Sequence, residues 1–108
     1  MAQFLHPSLS DISLDMVMHA LAEPTRLRIV QRLSETEEAD GLTCSQGVCD
    51  SVPRATMSNH YSVLRNAGLI ESRKRGTAVL NRLRRDDVDA RFPGLLETVL
   101  DLAPALEK

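Results

Sequence analysis

Aromatic residues are nearly absent from this chain: Phe4, Tyr61 and Phe92 are the whole set, and there is no tryptophan. Any core must therefore be assembled from Leu, Val, Ile and Met. Long apolar runs are absent too. No stretch approaches the roughly 20 residues that a membrane span requires. A basic-then-apolar leader with a small-residue cleavage site is also missing, so neither membrane insertion nor secretion is expected. Cysteine is limited to Cys44 and Cys49. The expected location is the cytoplasm, where such residues rest as thiols.

What remains is an ordinary globular composition, 43% apolar and 26% charged over 108 residues. That length accommodates one domain, 1–108, with one modest core. A core this small stabilises its fold by only a few kcal/mol, so burial of surface in a dimer would add to it. The net charge of −2 conceals a strong segregation. Residues 1–53 carry 3 basic and 8 acidic side chains, residues 54–85 carry 8 and 1, and residues 86–108 carry 2 and 6. A polyanion responds to the local field, so the basic middle third can attract one although the whole chain is acidic.

Residues 1–13 contain Pro7 with several Ser and Asp residues and read as an irregular arm. Leu14, Val17, Met18 and Leu21 are spaced as a helical stripe. Pro24 suits the first turn of a second helix, which Leu27, Ile29, Val30 and Leu33 carry to about Ser34. An acidic loop through Glu35, Glu37, Glu38 and Asp40 to Gly41 follows. Thr43 and Gln46 have the form of a capping box that opens a short third helix. A turn ends at Pro53, and the segment from Arg54 to Ala67 is strongly helical, closed by Gly68. The period then changes to that of two strands, 69–73 and 77–83, around a turn at Lys74-Arg75-Gly76. Residues 86–90 read as a polar connection, and 92–103 as a broadly apolar last helix.

A short helix, a tight turn and a longer helix constitute a helix-turn-helix, here over 43–68, whose second helix enters the major groove of DNA. Arg54, Thr56, Ser58 and Asn59 are the base-reading candidates, since short polar side chains reach base edges and Asn pairs well with adenine. His60 and Ser62 are expected at phosphates, with Arg65 a charge one turn later. Met57, Tyr61 and Leu64 lie opposite and should hold the helix to the core. The hairpin 69–83 makes a wing whose Arg73, Lys74 and Arg75 can enter the adjacent minor groove or track phosphates. Arg82, Arg84 and Arg85 serve equally well as solvated surface.

The segments ALAEPTRLRIVQRL and RATMSNHYSVLRNAGLIESRKRG, with the trailing apolar helix, resemble the ArsR/SmtB family of bacterial winged-helix repressors over roughly residues 14–103. The pattern S-x-H-x-x-x-L-x-x-A-G-L-I from Ser58 to Ile70 is specific, as is Pro-Thr-Arg-Leu-Arg-Ile at 24–29. The resemblance implies a mainly α winged helix-turn-helix: four helices, a β-hairpin wing and a C-terminal helix. It also implies a homodimer joined through the first and last helices, acting as a repressor that an inducer releases. The apolar excess of 92–103 independently asks for a partner surface. Two reading helices would meet half-sites about one turn of double-stranded DNA apart, in an imperfect palindrome.

The signal is less legible. Arsenite- and soft-metal-sensing relatives often carry Cys-x-Cys at the start of the third helix; Cys44 falls there, but position 46 is Gln. A second family site uses Asp, His and Glu of the last helix for zinc, whereas here Glu97, Asp101 and Glu107 have no His beside them. His6, His19 and His60 lack ligand spacing. Cys44 and Cys49 are therefore read in three ways: apolar fillers, redox-sensing thiols, or soft-metal ligands shared across a dimer. The inducer is left open. No cofactor is expected. Asp86, Asp87 and Asp89 cluster, but no base, nucleophile or phosphate-binding loop accompanies them, so catalysis is not expected. A winged-helix module that binds protein would need no basic wing.

Overall fold

The structure, a computed structural model, describes residues 4–36, 41 and 52–104. A 3-10 turn, Leu9–Asp11, precedes α1 (Leu14–Leu21), α2 (Pro24–Glu35), α3 (Arg54–Asn66), β1 (Ile70–Arg75), β2 (Ala78–Leu83), α4 (Arg85–Arg91) and α5 (Leu95–Leu102). The helix expected from Thr43, and both cysteines, lie outside the described residues.

The Pro-Thr-Arg-Leu-Arg-Ile segment has a structural explanation. Pro24 opens α2 at a position where no N–H is needed, and the Glu23 carboxylate accepts the Arg26 N–H at 3.0 Å. The Arg26 side chain, only 8% exposed, turns back onto the end of α1. Its Nε donates to the Ala20 carbonyl at 2.8 Å, and its Nη2 to that of His19 at 3.3 Å. Helix ends leave carbonyls without intrahelical partners, so one buried guanidinium here joins two helices and caps one of them. Replacing Arg26 with Met leaves those acceptors buried, which is expected to cost about 2–3 kcal/mol. The urea midpoint should fall with an unchanged slope.

Helix α3 closes with the paired bonds of a Schellman motif: Leu69 N–H to Leu64 O at 3.0 Å, and Gly68 N–H to Arg65 O at 3.1 Å. Gly68 takes a φ of +87° there. Leu64 and Leu69, the apolar pair that accompanies such a motif, are both fully buried. The motif turns the chain directly into β1, which pairs antiparallel with β2 from Ile70↔Leu83 to Arg75↔Ala78. Gly76 and Thr77 therefore make the turn. The sequence pattern placed it at Lys74-Arg75-Gly76; the ladder instead extends β1 through Lys74 and Arg75, because a two-residue connection matches the twist of paired strands.

Three further expectations are corrected. Residues 85–91 form α4, not a polar connection. Its one buried apolar residue, Val88, gives no periodicity to read, while Asp86 and Asp87 in the first turn suit a helix N-terminus. Phe92 follows α4 as its C-cap, and the last helix starts only at Leu95. The arm also contains more order than its composition suggests. Ile12 is 1% exposed and belongs to the core cluster with Val17, Ile29, Val30, Leu64, Leu69, Val88 and Leu96. Arg91 Nη2 donates to the Ile12 carbonyl at 2.8 Å, which anchors the end of the arm to α4.

Candidate nucleic-acid interface

Along α3 the sequence separates two faces. Met57, Tyr61 and Leu64, spaced four and three apart, are buried, while Arg54, Thr56, Ser58 and Asn59 are exposed. Ser62 is half-buried. The four exposed residues occupy the first turns of the helix, directly after Pro53, and none of them is committed to the core. In β1, burial alternates only as far as Ser72; Arg73, Lys74 and Arg75 are all exposed toward the hairpin tip. Both clusters expected to meet DNA thus reach solvent, one on a helix and one on a strand.

His60 is not among them. It is 8% exposed, with Nδ1 at 3.4 Å from Arg26 Nη1. Lying three residues after Met57 and four before Leu64, it shares their inward face. Expected at a phosphate, it instead links α3 to the residue that caps α1. Arg65, expected as a charge one turn along the helix, is half-buried and has partners within the chain. Its Nη1 donates to Ser72 Oγ at 2.9 Å, and its guanidinium lies over the Phe4 ring at 4.4 Å. The turn at Gly68 leads α3 directly into β1 and so brings Ser72 to Arg65. Burial lowers the Arg65 guanidinium from its ordinary pKa.

Of the remaining basic residues, Arg82 pairs with Glu71 at 2.9 Å on the exposed face of the hairpin, a contact that stabilises little in water. Arg84 turns inward, donating to Asp87 at 3.0 Å and to the Pro7 carbonyl at 3.0 Å. Sequence reasoning missed Arg26 and His6. Neither belongs to a periodic or paired pattern, and His6 sits in an arm without one. His6 Nε2 accepts the Ser72 N–H at 3.0 Å, at the head of a groove of about 300 Å³ between the arm, the wing and α4. Among the described residues no group of three or more His, Cys, Asp and Glu could hold a metal ion, and no helix is long and apolar enough to cross a membrane.

An amphipathic helix with a polar outward face, followed at once by a basic two-stranded wing, defines a winged helix-turn-helix DNA-binding protein. Residues 21–73 match the profile of a helix-turn-helix domain family. The chain is 32% identical over 84 residues to an uncharacterized HTH-type transcriptional regulator, YceK of Bacillus subtilis, covering 77% of this chain and 82% of that one. It is 35% identical over 63 residues to a second, MJ1325 of Methanocaldococcus jannaschii, covering 56% and 66%. A solved structure described as a possible transcriptional regulator for arsenical resistance superposes with a TM-score of 0.60 at 32% identity, covering 88% of this chain and all of that one. The chain belongs to the ArsR/SmtB family of winged helix-turn-helix repressors and is a DNA-binding transcriptional regulator.

Proposed function

We propose that this protein is a cytoplasmic homodimeric repressor that reads an imperfect palindrome in double-stranded DNA. In this reading Arg54, Thr56, Ser58 and Asn59 face base edges in the major groove, and Ser62 approaches the backbone. Arg73, Lys74 and Arg75 of the wing hold phosphates or the minor groove. The observation that carries it is the exposed polar start of α3 beside an exposed basic strand. Leu14 and Met18, 46% and 55% exposed and four residues apart on α1, support a paired surface, as does Leu102 of α5 at 80%. A monomer would leave that apolar area in water.

Gel shift against the protein's own upstream region, in a salt series, tests the reading. About six neutralised phosphates should cost roughly 10³-fold in affinity between 50 and 200 mM salt. Affinity that ignores salt, or a complex with one protomer per duplex, would count against it. For the signal, thiol chemistry at Cys44 and Cys49 is the favoured trigger. Soft-metal or arsenic binding at the same two thiols is the second reading, supported by the likeness to the arsenical-resistance regulator. Release of wild type by hydrogen peroxide but not arsenite selects the first, and the converse selects the second. Unchanged release of the double Cys44→Ser, Cys49→Ser variant overturns both.

A further inference from the structure

We propose that His6 and Arg65 are positioning residues for DNA reading: they converge on Ser72 and set the wing against the reading helix. The inference rests on the reading of α3 and the wing given above. Ser72 sits at the base of β1, 2% exposed, opposite Asn81 at 3%. Its hydroxyl has a single proton. Arg65 can only donate, so Ser72 Oγ accepts from Arg65 Nη1 at 2.9 Å and gives its own proton to Asn81 Oδ1 at 2.6 Å. The direction of the chain from α3 through β1 to β2 is thereby determined. On the outer edge of β1 the Ser72 N–H donates to His6 Nε2 at 3.0 Å.

The arm completes the joint. Phe4 covers the Arg65 guanidinium, and the Pro7 carbonyl takes Arg84 Nη1 at 3.0 Å, so residues 4–7 span the last turn of α3, the base of β1 and the approach to α4. The cations toward the hairpin tip, Arg73, Lys74 and Arg75, lie beyond this joint. Arg75 is three residues past Ser72, about 10 Å along the strand, so a rotation of about 10° at the joint moves it by about 2 Å. That displacement separates a phosphate contact from a missed one. Interactions buried at Ser72 therefore determine where exposed charges meet DNA.

The His6 link is sensitive to acid, because Nε2 accepts a hydrogen bond only when it carries no proton. From β1, Glu71 favours the proton; from α3 and the approach to α4, Arg65 and Arg84 oppose it. Arg82 of β2 and Arg85, Asp86 and Asp87 of α4 line the rest of the groove. Burial is the largest influence and lowers the His6 pKa. A lowered histidine pKa means that the unfolded state takes the proton first. The link is thus intact above the ordinary value of about 6.5 and is lost as pH falls through the folded value.

The test uses the full chain and two duplexes, one selected from a random pool by the wild type and one of mixed sequence. Their affinity ratio is measured at pH 7.5 and 5.5, beside thermal melts and the Ser72 amide exchange rate. For wild type the ratio should fall on acidification, toward a limit of about fivefold per protomer as His6 takes its proton, the value of one hydrogen bond worth about 1 kcal/mol. His6→Ala should start at that lower limit already at pH 7.5 and stay there, with a faster Ser72 amide. His6→Gln keeps an acceptor that does not titrate, so its ratio and its amide should stay near the wild-type pH 7.5 values at both pH values. His6→Ala overlaying wild type at both pH values overturns the proposal, as does a ratio that simply tracks the melting temperature. A wild type with no preference between duplexes fails the operator reading itself, and the positioning role with it. A slowly exchanging Ser72 amide in that protein would still report the His6 link.

Discussion

Changing Ser58 and Asn59 together to alanine is expected to bring binding of the selected operator down to the level of mixed-sequence DNA, a loss of about 10³-fold. Each good base contact discriminates by about 1–3 kcal/mol, and a two-fold dimer loses every contact twice. Mixed-sequence binding should hardly change. It rests on cations that the variant keeps, Arg54 on α3 and Arg73, Lys74 and Arg75 on the wing, and it should retain its salt slope. Both residues are exposed, so the fold should lose no more than about 0.5 kcal/mol. Equal losses on both duplexes would mean that α3 contributes charge and not sequence reading. The wing variant Arg73→Ala, Arg75→Ala is the complementary experiment: affinity falls on both duplexes, and the salt slope becomes shallower.

The largest stability effect is expected at Gly41. Its φ is +96°, and a Cβ there would fall on the Asn81 carbonyl oxygen, with the Asn81 carbonyl carbon behind it at 2.6 Å. The left-handed conformation alone costs a residue with a Cβ about 1–2 kcal/mol. The clash adds to this because the obstructing atoms are backbone in a paired strand, which cannot rotate away. Gly41→Ala should therefore cost about 3 kcal/mol and lower the melting midpoint by roughly 10–20 °C. Gly68→Ala makes the contrast. There the nearest atoms are Ile12 Cγ1 at 2.6 Å and Cδ1 at 2.8 Å, a side chain that can shift within the core where strand backbone cannot, so the cost should be smaller. If the two variants melt together, the close approach at Gly41 is not what makes that glycine necessary. Gly41→Ala has a second consequence, since displacing Asn81 disturbs the acceptor of the Ser72 hydroxyl. Surviving protein should have a wing that binds DNA less well.

The first of these experiments depends on the division of labour within α3. Asn59 and His60 are neighbours in sequence, and both looked suited to DNA. Adjacent helical positions differ by about 100°, and here that angle separates solvent from core. Arg65 and Arg73 are likewise both basic and both near the wing. One supports the joint from inside, while the other lies beyond it. Composition cannot separate such pairs, because burial belongs to the surroundings of a residue and not to its type.

The sequence alone determined the helices α1, α2 and α3, the existence of a hairpin, the polar face at Arg54, Thr56, Ser58 and Asn59, and the family. Each of these depends on local periodicity or on a contiguous motif, and local order is what a linear pattern encodes. Tertiary structure decided the rest. It made residues 85–91 a helix by burying Val88, moved the turn to Gly76 and Thr77 by strand pairing, and drew Arg26, His60 and Arg65 inward. It also brought His6 to Ser72 across 66 positions of chain. Contacts over such separations form only when packing brings their partners together, and no spacing rule in the sequence records them.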